Sequence, residues 1–533
     1  MKLSNKTYIV ILLVLAVIFA VVYSSLYFSV RPAAVANDMW IFNTPDETAN
    51  YFFIEKFTRT GQLVESEPLN EVSGALNLVH PRSTTVVNKA LAPASFLGFI
   101  LIARMFATVF TVHFIPFITP LASIIGVICF YLLVKEFFNQ EIAFYSALLL
   151  LILPAFWYYN SRSLFNNVLF IDFLLIGFSL LISFLRREDL TRLVFSALFI
   201  GLALTIRTAD LLWVGSLVVA VFIFNPKKFS WTQFFIFLFV GLLSFLPVLG
   251  YQYAVYGNIF TTGYVPEGNA KLLGENQLLG LAKQLVAPFG FNLRHLAYNF
   301  YYYYVRMFWW YFVAGFLGGA LIIWRYFRGQ LKNREIDYLV ALLLVGALVL
   351  LYYGSWFFYN NLLARPLIGS SQVRYFLPLY ILAIPPAVYF LGVLFKRFTN
   401  DNFKFIAGAT LGVAMFYWSL SSVWLAGPES LAAIRTTVKN YHQINKQVRS
   451  LTETEAVIVS SYSDKIFFPK RRVIFYWQDP AYWENIRLIA QAAPVYFYSI
   501  DSGAELDFIT NNSDFSPQLV AEITPTEFLY KLN

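Results

Sequence analysis

The chain has 533 residues, of which 59% are hydrophobic and 13% are charged, with a formal net charge of +9. A soluble domain has about 25% charged residues, and several apolar runs here reach the roughly 20 residues that cross a bilayer. These figures exclude a soluble globular protein and predict an all-α polytopic membrane protein. Because positively charged residues gather on the cytoplasmic side of membrane helices, the net charge of +9 does not indicate nucleic-acid binding. The single cysteine, Cys129, excludes a disulfide framework.

The N-terminal segment has the features of a membrane anchor. Lys2 and Lys6 precede an apolar run over residues 8–30. The sequence AVA at 34–36 resembles a signal-peptidase site, but a signal sequence has an apolar core of only about 7 to 15 residues. We therefore expect an uncleaved anchor whose N-terminus lies in the cytoplasm.

The polar segment 31–88 is predicted to be the first external loop. Within it, residues 48–58 place Ala49, Phe52 and Phe57 at helical spacing, with charged residues between them. Thr44 or Asp46 would cap this helix, because side-chain oxygens and acidic charge both suit a helix start. An amphipathic helix between two spans is predicted to lie in the membrane interface.

Eleven further apolar runs bring the candidates to about twelve, and we expect 11–13 transmembrane helices. Basic loops at 186–192, 227–228, 325–334 and 396–404 are assigned to the cytoplasm by the positive-inside rule. Every run after residue 164 then alternates correctly. The runs are 90–110, 115–134, 142–158, 164–185, 193–206, 211–224, 234–253, 301–324, 338–353, 375–394 and 406–425.

The order of the first runs conflicts with this alternation. Both the first loop and the start of run 115–134 must face outward, so run 90–110 should not change sides. Either this run is re-entrant or a pair of short helices, or the short run 142–158 is not a single crossing. The sequence leaves both alternatives open.

The tail from residue 427 to 533 has a different composition. A helical stretch, Leu431–Leu451, precedes three strand-like runs, AVIVSS, RVIFYW and VYFYSI. We therefore predict two domains: a transmembrane domain over residues 1–426 and a small soluble α/β domain over 427–533, outside the membrane.

Charged residues on the predicted outer face are the candidate functional residues. A carboxylate can act as a general base, and the planar arginine fork binds phosphate bidentately. The competing interpretations are helix capping for the acids, and snorkelling or local ion pairs for the arginines. The candidates are the acids Asp46 and Glu47, the cations Arg162, Arg207 and Arg374, and the weaker His80, Arg82 and Lys89.

Soluble-enzyme motifs are absent from the sequence. It contains no Walker lysine loop, no HExxH, no GxSxG and no cysteine–histidine zinc spacing. We therefore predict no metal ligands and name no cofactor, although a divalent cation held by carboxylates at Asp46 and Glu47 is chemically compatible with the pair.

Four segments resemble GT-C glycosyltransferases in their order and sidedness. They are TPDETANYFFIEKFTRTGQL, YYNSRSLFNNVLFIDFLLIGFSLL, GLALTIRTADLL and RYFLPLY. The segment HPRSTTVVNKALAPASFLG also fits this style. The branch that they resemble holds the protein O-mannosyltransferases and the lipid A aminoarabinose transferases. That branch's aminoarabinose members favour Lys-Pro-Pro where this chain has HPRS or NKALAP.

The resemblance implies a reaction and roles for particular residues. A sugar carried on a polyprenyl phosphate would be transferred, with inversion, to a hydroxyl acceptor at the outer leaflet of the bilayer. Asp46 would be the general base, and Glu47 would support it or bind the acceptor. Arg162 would contact the donor region, and Arg207 and Arg374 match motif positions suited to the donor phosphate.

Three other functions remain as alternatives. The first is a GT-C oligosaccharide or phospho-group transferase, and the second is a transporter or flippase of lipid-linked sugars. The third is a structural or binding role for the tail domain, with an inactive membrane part. A transporter should carry charges at mid-membrane and broken helices in matching halves. Because the candidate charges gather on one face and the sequence shows no pseudo-repeat, we expect the enzyme.

Overall fold

A computed structural model describes residues 4–30, 40–72, 77–264, 289–331, 333–357, 366–500 and 503–533. Most of these residues are helical. The helices up to residue 256 are α1 (Asn5–Ser29), α2 (Pro45–Thr60), α3 (Leu69–Val72), α4 (Leu97–Phe110), α5 (Ile118–Phe137), α6 (Gln140–Ile152), α7 (Pro154–Ser161), α8 (Asn166–Arg187), α9 (Leu190–Ile206), α10 (Leu211–Phe224), α11 (Trp231–Leu243) and α12 (Leu246–Tyr256).

The later helices and the strands complete the described elements. The helices are α13 (Leu293–Asn299), α14 (Trp309–Phe327), α15 (Asn333–Tyr353), α16 (Ser371–Tyr375), α17 (Leu377–Leu382), α18 (Ile384–Phe395), α19 (Asp401–Leu420), α20 (Leu431–Leu451), α21 (Asp464–Phe467), α22 (Pro480–Ala490) and α23 (Ala504–Asn512). The strands are β1 (Glu65–Ser66), β2 (Thr84–Val87), β3 (Ala90–Pro93), β4 (Val457–Ser460), β5 (Arg472–Phe475), β6 (Val495–Ser499), β7 (Pro517–Thr524) and β8 (Glu527–Leu532).

The predicted all-α polytopic membrane architecture is confirmed. Among the described residues, eight helices are long and apolar enough to span a bilayer, or up to ten if each of two bent helix pairs is one span. The count is below the predicted 11–13, because that figure took each half of the α9–α10 pair as a separate span and, above its lower end, also took run 90–110 as a span. The eight are Asn5–Ser29, Val112–Phe137, Asn166–Arg187, Trp231–Tyr256, Trp309–Phe327, Asn333–Tyr353, Leu377–Phe395 and Asp401–Leu425.

Run 90–110 is not one membrane helix. Its first residues form β3, and the rest forms α4, which has 14 residues. A helix of that length is about 21 Å long, which is short of the roughly 30 Å hydrocarbon core. The other disputed run, 142–158, consists of α6 and α7, which meet at an angle of 50°. The helix lengths therefore favour the alternative in which run 90–110 does not change sides.

The described chain forms two compact units, each drawn from three segments. The first unit contains Met1–Tyr27, Pro116–Pro247 and Lys271–Ala433, and the second contains Phe28–Ile115, Val248–Ala270 and Ile434–Asn533.

Small residues let the helices of the first unit approach closely. A Cβ added at Gly126 on α5 would lie 2.1 Å from a carboxylate oxygen of Asp172 on α8. A Cβ added at Gly318 on α14 would lie 1.9 Å from the carbonyl oxygen of Pro386 on α18. Such contacts are typical of helix pairs in membranes, where dispersion packing rather than hydrophobic burial holds the helices together.

The second unit contains a five-stranded sheet with the order β5-β4-β6-β8-β7. β4 lies parallel to β5 and β6, whereas β8 is antiparallel to β6 and β7. Helix α20 has the bounds predicted for it, and β4, β5 and β6 lie inside the three strand-like runs. The alternation missed β7 and β8, whose residues are mostly only partly buried.

The core of this sheet includes residues of the first loop. Leu69, Leu78 and Val79 pack with the buried side chains of the C-terminal strands and helices, among them Trp483. Val79 also forms a β-bridge with Ile474 of β5. The segment predicted as an external loop is therefore part of the same folded unit as the C-terminal sheet.

Candidate active site

The acidic pair lies in the first turn of α2, as predicted. Thr44 is the N-cap: its hydroxyl oxygen accepts from the amide of Glu47 at 3.4 Å and donates to Glu47 Oε2 at 2.9 Å. Glu47 is 1% exposed. Thr44 therefore caps the helix, and the buried Glu47 side chain bonds to that cap.

Asp46 is the more accessible member of the pair. It is half-buried, and its Oδ1 accepts a hydrogen bond of 2.6 Å from the hydroxyl of Ser83. A short bond from a hydroxyl to a carboxylate is charge-assisted, and it fixes the direction in which the carboxylate points. Ser83 was not among the predicted residues.

The apolar face of α2 packs inside the protein. Phe53, Ile54 and Phe57 are at most 1% exposed. Phe57 also carries the guanidinium of Arg104 of α4 over its ring, at 4.0 Å from the ring centroid. Protein contacts therefore cover these apolar residues of the helix that was predicted to lie in the membrane interface.

Arg82 has its charge satisfied within the second unit. Its Nη2 lies 2.6 Å from Asp464 Oδ1 and 2.9 Å from the carbonyl oxygen of Tyr462. The side chain of Asp464 is fully buried. These contacts favour a structural role for Arg82 over the predicted substrate contact.

His80 precedes a small hairpin, and Lys89 lies in its turn. Burial is the main influence that lowers the pKa of His80, and a neutral imidazole is a weak phosphate ligand. Asn88 and Lys89 join β2 to β3 and have φ values of 49° and 66°, as a two-residue hairpin of type I′ requires. Lys89 Nζ donates to Asn77 Oδ1 at 3.1 Å. The contacts of these residues thus favour loop structure.

Two predicted arginines of the first unit lie over one aromatic ring. The guanidinium of Arg162, at the end of α7, is 5.3 Å from the centroid of Phe165, and that of Arg374, in α16, is 4.6 Å from it. Arg162 is 3% exposed and donates to the hydroxyl of Tyr158 at 3.0 Å. Arg374 donates to the hydroxyl of Ser371 at 3.1 Å.

A second ring connects Arg374 to Arg207. The centroid of Tyr375 is 5.4 Å from the guanidinium of Arg374 and 5.1 Å from that of Arg207. The structure therefore gathers the three arginines predicted to bind phosphate, although more than 200 residues separate Arg162 from Arg374. We call Arg162, Arg207 and Arg374 the arginine cluster.

Within this cluster, Arg207 bonds to three side chains of the first unit. Its Nε lies 2.5 Å from Asp210 Oδ2, its Nη1 donates to Asn166 at 3.1 Å, and its Nη2 donates to Tyr353 at 2.9 Å. The other carboxylate oxygen of Asp210 accepts from Trp213 Nε1 at 2.7 Å. Because both charges are buried and compensated, this pair organises the helix ends around the cluster.

A carboxylate beside Arg162, that of Glu429, was not among the predicted residues. Burial raises the pKa of the Glu429 carboxyl, while the charge of Arg162 and the amide of Gly369 act in the opposite direction. A Cβ added at Gly369 would lie 2.4 Å from Glu429 Oε2 and 2.6 Å from the hydroxyl of Tyr158. Gly369 therefore lets these two polar groups meet next to Arg162. Glu429 follows a Gly-Pro at the start of the polar tail, where an acidic residue is ordinary. Its neighbours in the sequence therefore gave no sign of a functional role.

The predicted residues thus form two groups. The first unit holds the arginine cluster, with Glu429 and Tyr158 beside Arg162. The second unit holds Asp46 and Glu47 at the start of α2, with Ser83 on Asp46. Among the residues that the structure describes, no group of three or more His, Cys, Asp or Glu side chains is arranged to hold a metal ion.

Comparison with known proteins agrees with this architecture. The family described as dolichyl-phosphate-mannose-protein mannosyltransferase matches residues 94–251. No curated protein sequence gives a match.

Two solved structures are similar over nearly the whole chain. The first is ArnT from Cupriavidus metallidurans bound to undecaprenyl phosphate, with 12% identity, a TM-score of 0.57, and 99% of this chain and 98% of that chain covered. The second is the archaeal oligosaccharyltransferase AglB from Archaeoglobus fulgidus in complex with an inhibitory peptide and a dolichol-phosphate. It has 13% identity, a TM-score of 0.56, and coverage of 97% of this chain and 73% of that one. At such identities the likeness establishes the fold. The chain therefore has the GT-C fold of membrane glycosyltransferases and, over residues 94–251, resembles the dolichyl-phosphate-mannose-protein mannosyltransferase family.

Proposed function

We propose that the protein is an inverting membrane glycosyltransferase that moves a sugar from a polyprenyl phosphate to a hydroxyl acceptor on the extracytoplasmic face. The arginine cluster carries this proposal. Three guanidinium groups around two aromatic rings, in a chain of GT-C fold, suit the phosphate of a lipid-linked donor. The ArnT and AglB structures contain undecaprenyl phosphate and dolichol-phosphate, which supports a donor of the same class here.

In the proposed reaction Asp46 acts on the acceptor. Its carboxylate takes the hydroxyl proton while the acceptor oxygen bonds to the anomeric carbon of the sugar. The bond from that carbon to the phosphate oxygen breaks, and the polyprenyl phosphate leaves with the electron pair. Attack from the face opposite to the leaving group inverts the anomeric configuration.

The arginines act on the leaving group. Transfer returns a second negative charge to the phosphate, and cations placed where charge develops stabilise the transition state. Arg162 and Arg374 are the proposed phosphate ligands. The bonds of Arg207 to Asp210, Asn166 and Tyr353 suit it to hold the cluster in place.

Product release tests the function directly. Purified protein is incubated with a panel of polyprenyl-phosphate sugars, with and without a mixture of hydroxyl acceptors, and free polyprenyl phosphate is measured. We expect release that depends on the acceptor and that falls strongly in Arg374→Ala. Replacing the exposed Arg328 with alanine serves as the matched control, because its guanidinium lies over Trp324, outside the arginine cluster.

Two outcomes would contradict the proposal. If no donor in the panel released polyprenyl phosphate, the protein would not be the proposed glycosyltransferase. Movement of the intact lipid-linked sugar across a reconstituted bilayer, without release, would favour the transporter. AglB is an oligosaccharyltransferase, so an oligosaccharide donor is included in the panel.

A further inference from the structure

We propose that Asp464, at the start of α21 in the C-terminal region, is a positioning residue for Asp46 and acts through Arg82 and Ser83. The inference rests on the proposed function, because it assumes that Asp46 is the base. All four residues belong to the second unit. It assigns to the C-terminal region a part in catalysis that does not require it to touch either substrate.

The first step is the contact between Asp464 and Arg82. Asp464 Oδ1 accepts from Arg82 Nε at 3.1 Å and from Nη2 at 2.6 Å, and its Oδ2 accepts from the backbone amide of Arg82 at 2.7 Å. The rings of Tyr462 and Phe475 flank the guanidinium at 4.9 Å and 5.1 Å. Because one of the bonds goes to the backbone, Asp464 fixes the peptide of Arg82 and not only its side chain.

The second step is the conformation of Ser83. This residue has a φ of 61°, which residues other than glycine seldom adopt. Such a conformation persists where neighbouring contacts hold it. Arg82 anchors it on one side, and on the other the Ser83 carbonyl accepts from the amide of Ala94 at 3.4 Å. The turn therefore depends on contacts that are distant in sequence.

The third step is the bond from Ser83 to Asp46. The hydroxyl lies 2.6 Å from Asp46 Oδ1, so it sets the direction in which the carboxylate points. A displacement of about 1 Å of a reacting group can cost about 100-fold in rate. A ring contact of 4.7 Å between Phe52 of α2 and Phe468, just after α21, ties the same helix to the same region. Loss of the Asp464 contacts would therefore loosen the base without removing it.

The chain offers a matched control at a second ion pair. Arg472 of β5 lies 3.0 Å from Glu67, which also joins the first loop to the C-terminal sheet. Glu67 accepts from the amide of Leu69, so its bonds order the loop near α3 rather than the Ser83 turn. Glu67→Gln removes one charge between the same two segments, as Asp464→Asn does.

The experiment measures kcat and the KM for donor in full-length protein, for Ser83→Ala, Asp464→Asn, their double variant and Glu67→Gln. We expect kcat to fall about 10- to 100-fold in the first two, with the KM for donor little changed. The double variant should be no slower than the slower single variant, because both changes act through one turn. Glu67→Gln should retain wild-type kcat.

A structural readout accompanies the kinetics. Amide hydrogen exchange over residues 80–87 should speed up in Asp464→Asn and stay at the wild-type rate in Glu67→Gln. If Asp464→Asn does not fold, Ser83→Ala still tests the final bond.

Three outcomes would overturn the inference. If Ser83→Ala has the wild-type kcat while Asp46→Asn is inactive, Asp464 does not position Asp46 through Ser83. The proposed function is then unaffected. Losses that multiply in the double variant show that the two residues act separately. Full activity in Asp46→Asn removes the base itself, and with it the part of the proposed function on which this inference rests.

Discussion

Asp46→Asn is expected to lower turnover by about 10²- to 10⁴-fold, the usual contribution of a positioned general base. Asparagine has nearly the same shape and keeps an oxygen that can accept the hydrogen bond from Ser83. The variant should therefore fold and bind donor as the wild type does. The measurement is kcat at saturating donor, together with the dissociation constant for the lipid-linked sugar.

The control for this variant lies on the same helix. Glu55 pairs with Arg59 one turn later, at 2.9 Å. Glu55→Gln therefore removes a carboxylate from α2 without touching its first turn, and wild-type turnover is expected. If Asp46→Asn were as active as the wild type, Asp46 would not be the base. If it lost donor binding to the same extent as turnover, its role would be structural.

Asp210→Asn is expected to destabilise the protein by about 3–5 kcal/mol, because it leaves the buried charge of Arg207 uncompensated. The two side chains are 4% and 7% exposed, and Asp210 also holds Trp213 and Tyr353. The measurement is the free energy or midpoint of unfolding in detergent.

An exposed pair with the same spacing provides the comparison. Asp189 and Arg192 are 3.2 Å apart, with side chains 44% and 28% exposed. Asp189→Asn keeps an N-cap side chain for α9 and should change stability by less than about 1 kcal/mol. Equal effects from Asp189→Asn and Asp210→Asn would contradict the view that burial makes the Arg207 pair structural.

Local patterns predicted the elements whose signals lie within a short stretch of sequence. Helix Leu431–Leu451 has the predicted bounds because its apolar residues recur at helical spacing over five turns. Thr44 is one of the two predicted caps, because a capping signal involves only neighbouring residues. Arg207 and Asp210 are likewise only three residues apart, so a short stretch of sequence contains both members of this ion pair.

Contacts between distant segments were not predictable in this way. The bond between Arg82 and Asp464 joins residues 382 positions apart, and hydrophobic periodicity carries no information about such a pairing. For the same reason the loop residues Leu69 and Val79 could not be assigned to the core of the C-terminal sheet.

Run 90–110 shows a different difficulty. Its composition is apolar, as in a membrane helix, but its first four residues pair with β2 across the turn at Asn88 and Lys89. A short apolar strand and a short apolar helix together look like one span, because hydropathy averages over a window of about 19 residues. Pro93, which cannot donate a backbone hydrogen bond, is a local sign of a break near the start of this run.

The most direct test of the central claim is the structure of the protein with a polyprenyl phosphate bound. We expect phosphate oxygens within about 3 Å of the guanidinium nitrogens of Arg162 and Arg374, the distance of a charge-assisted hydrogen bond. The Arg207–Asp210 pair should remain intact in that complex. The opposite result would be a phosphate bound away from the arginine cluster. Arg162 and Arg374 would then remain on the ring of Phe165 without contacting the phosphate, and the proposed donor site would be wrong.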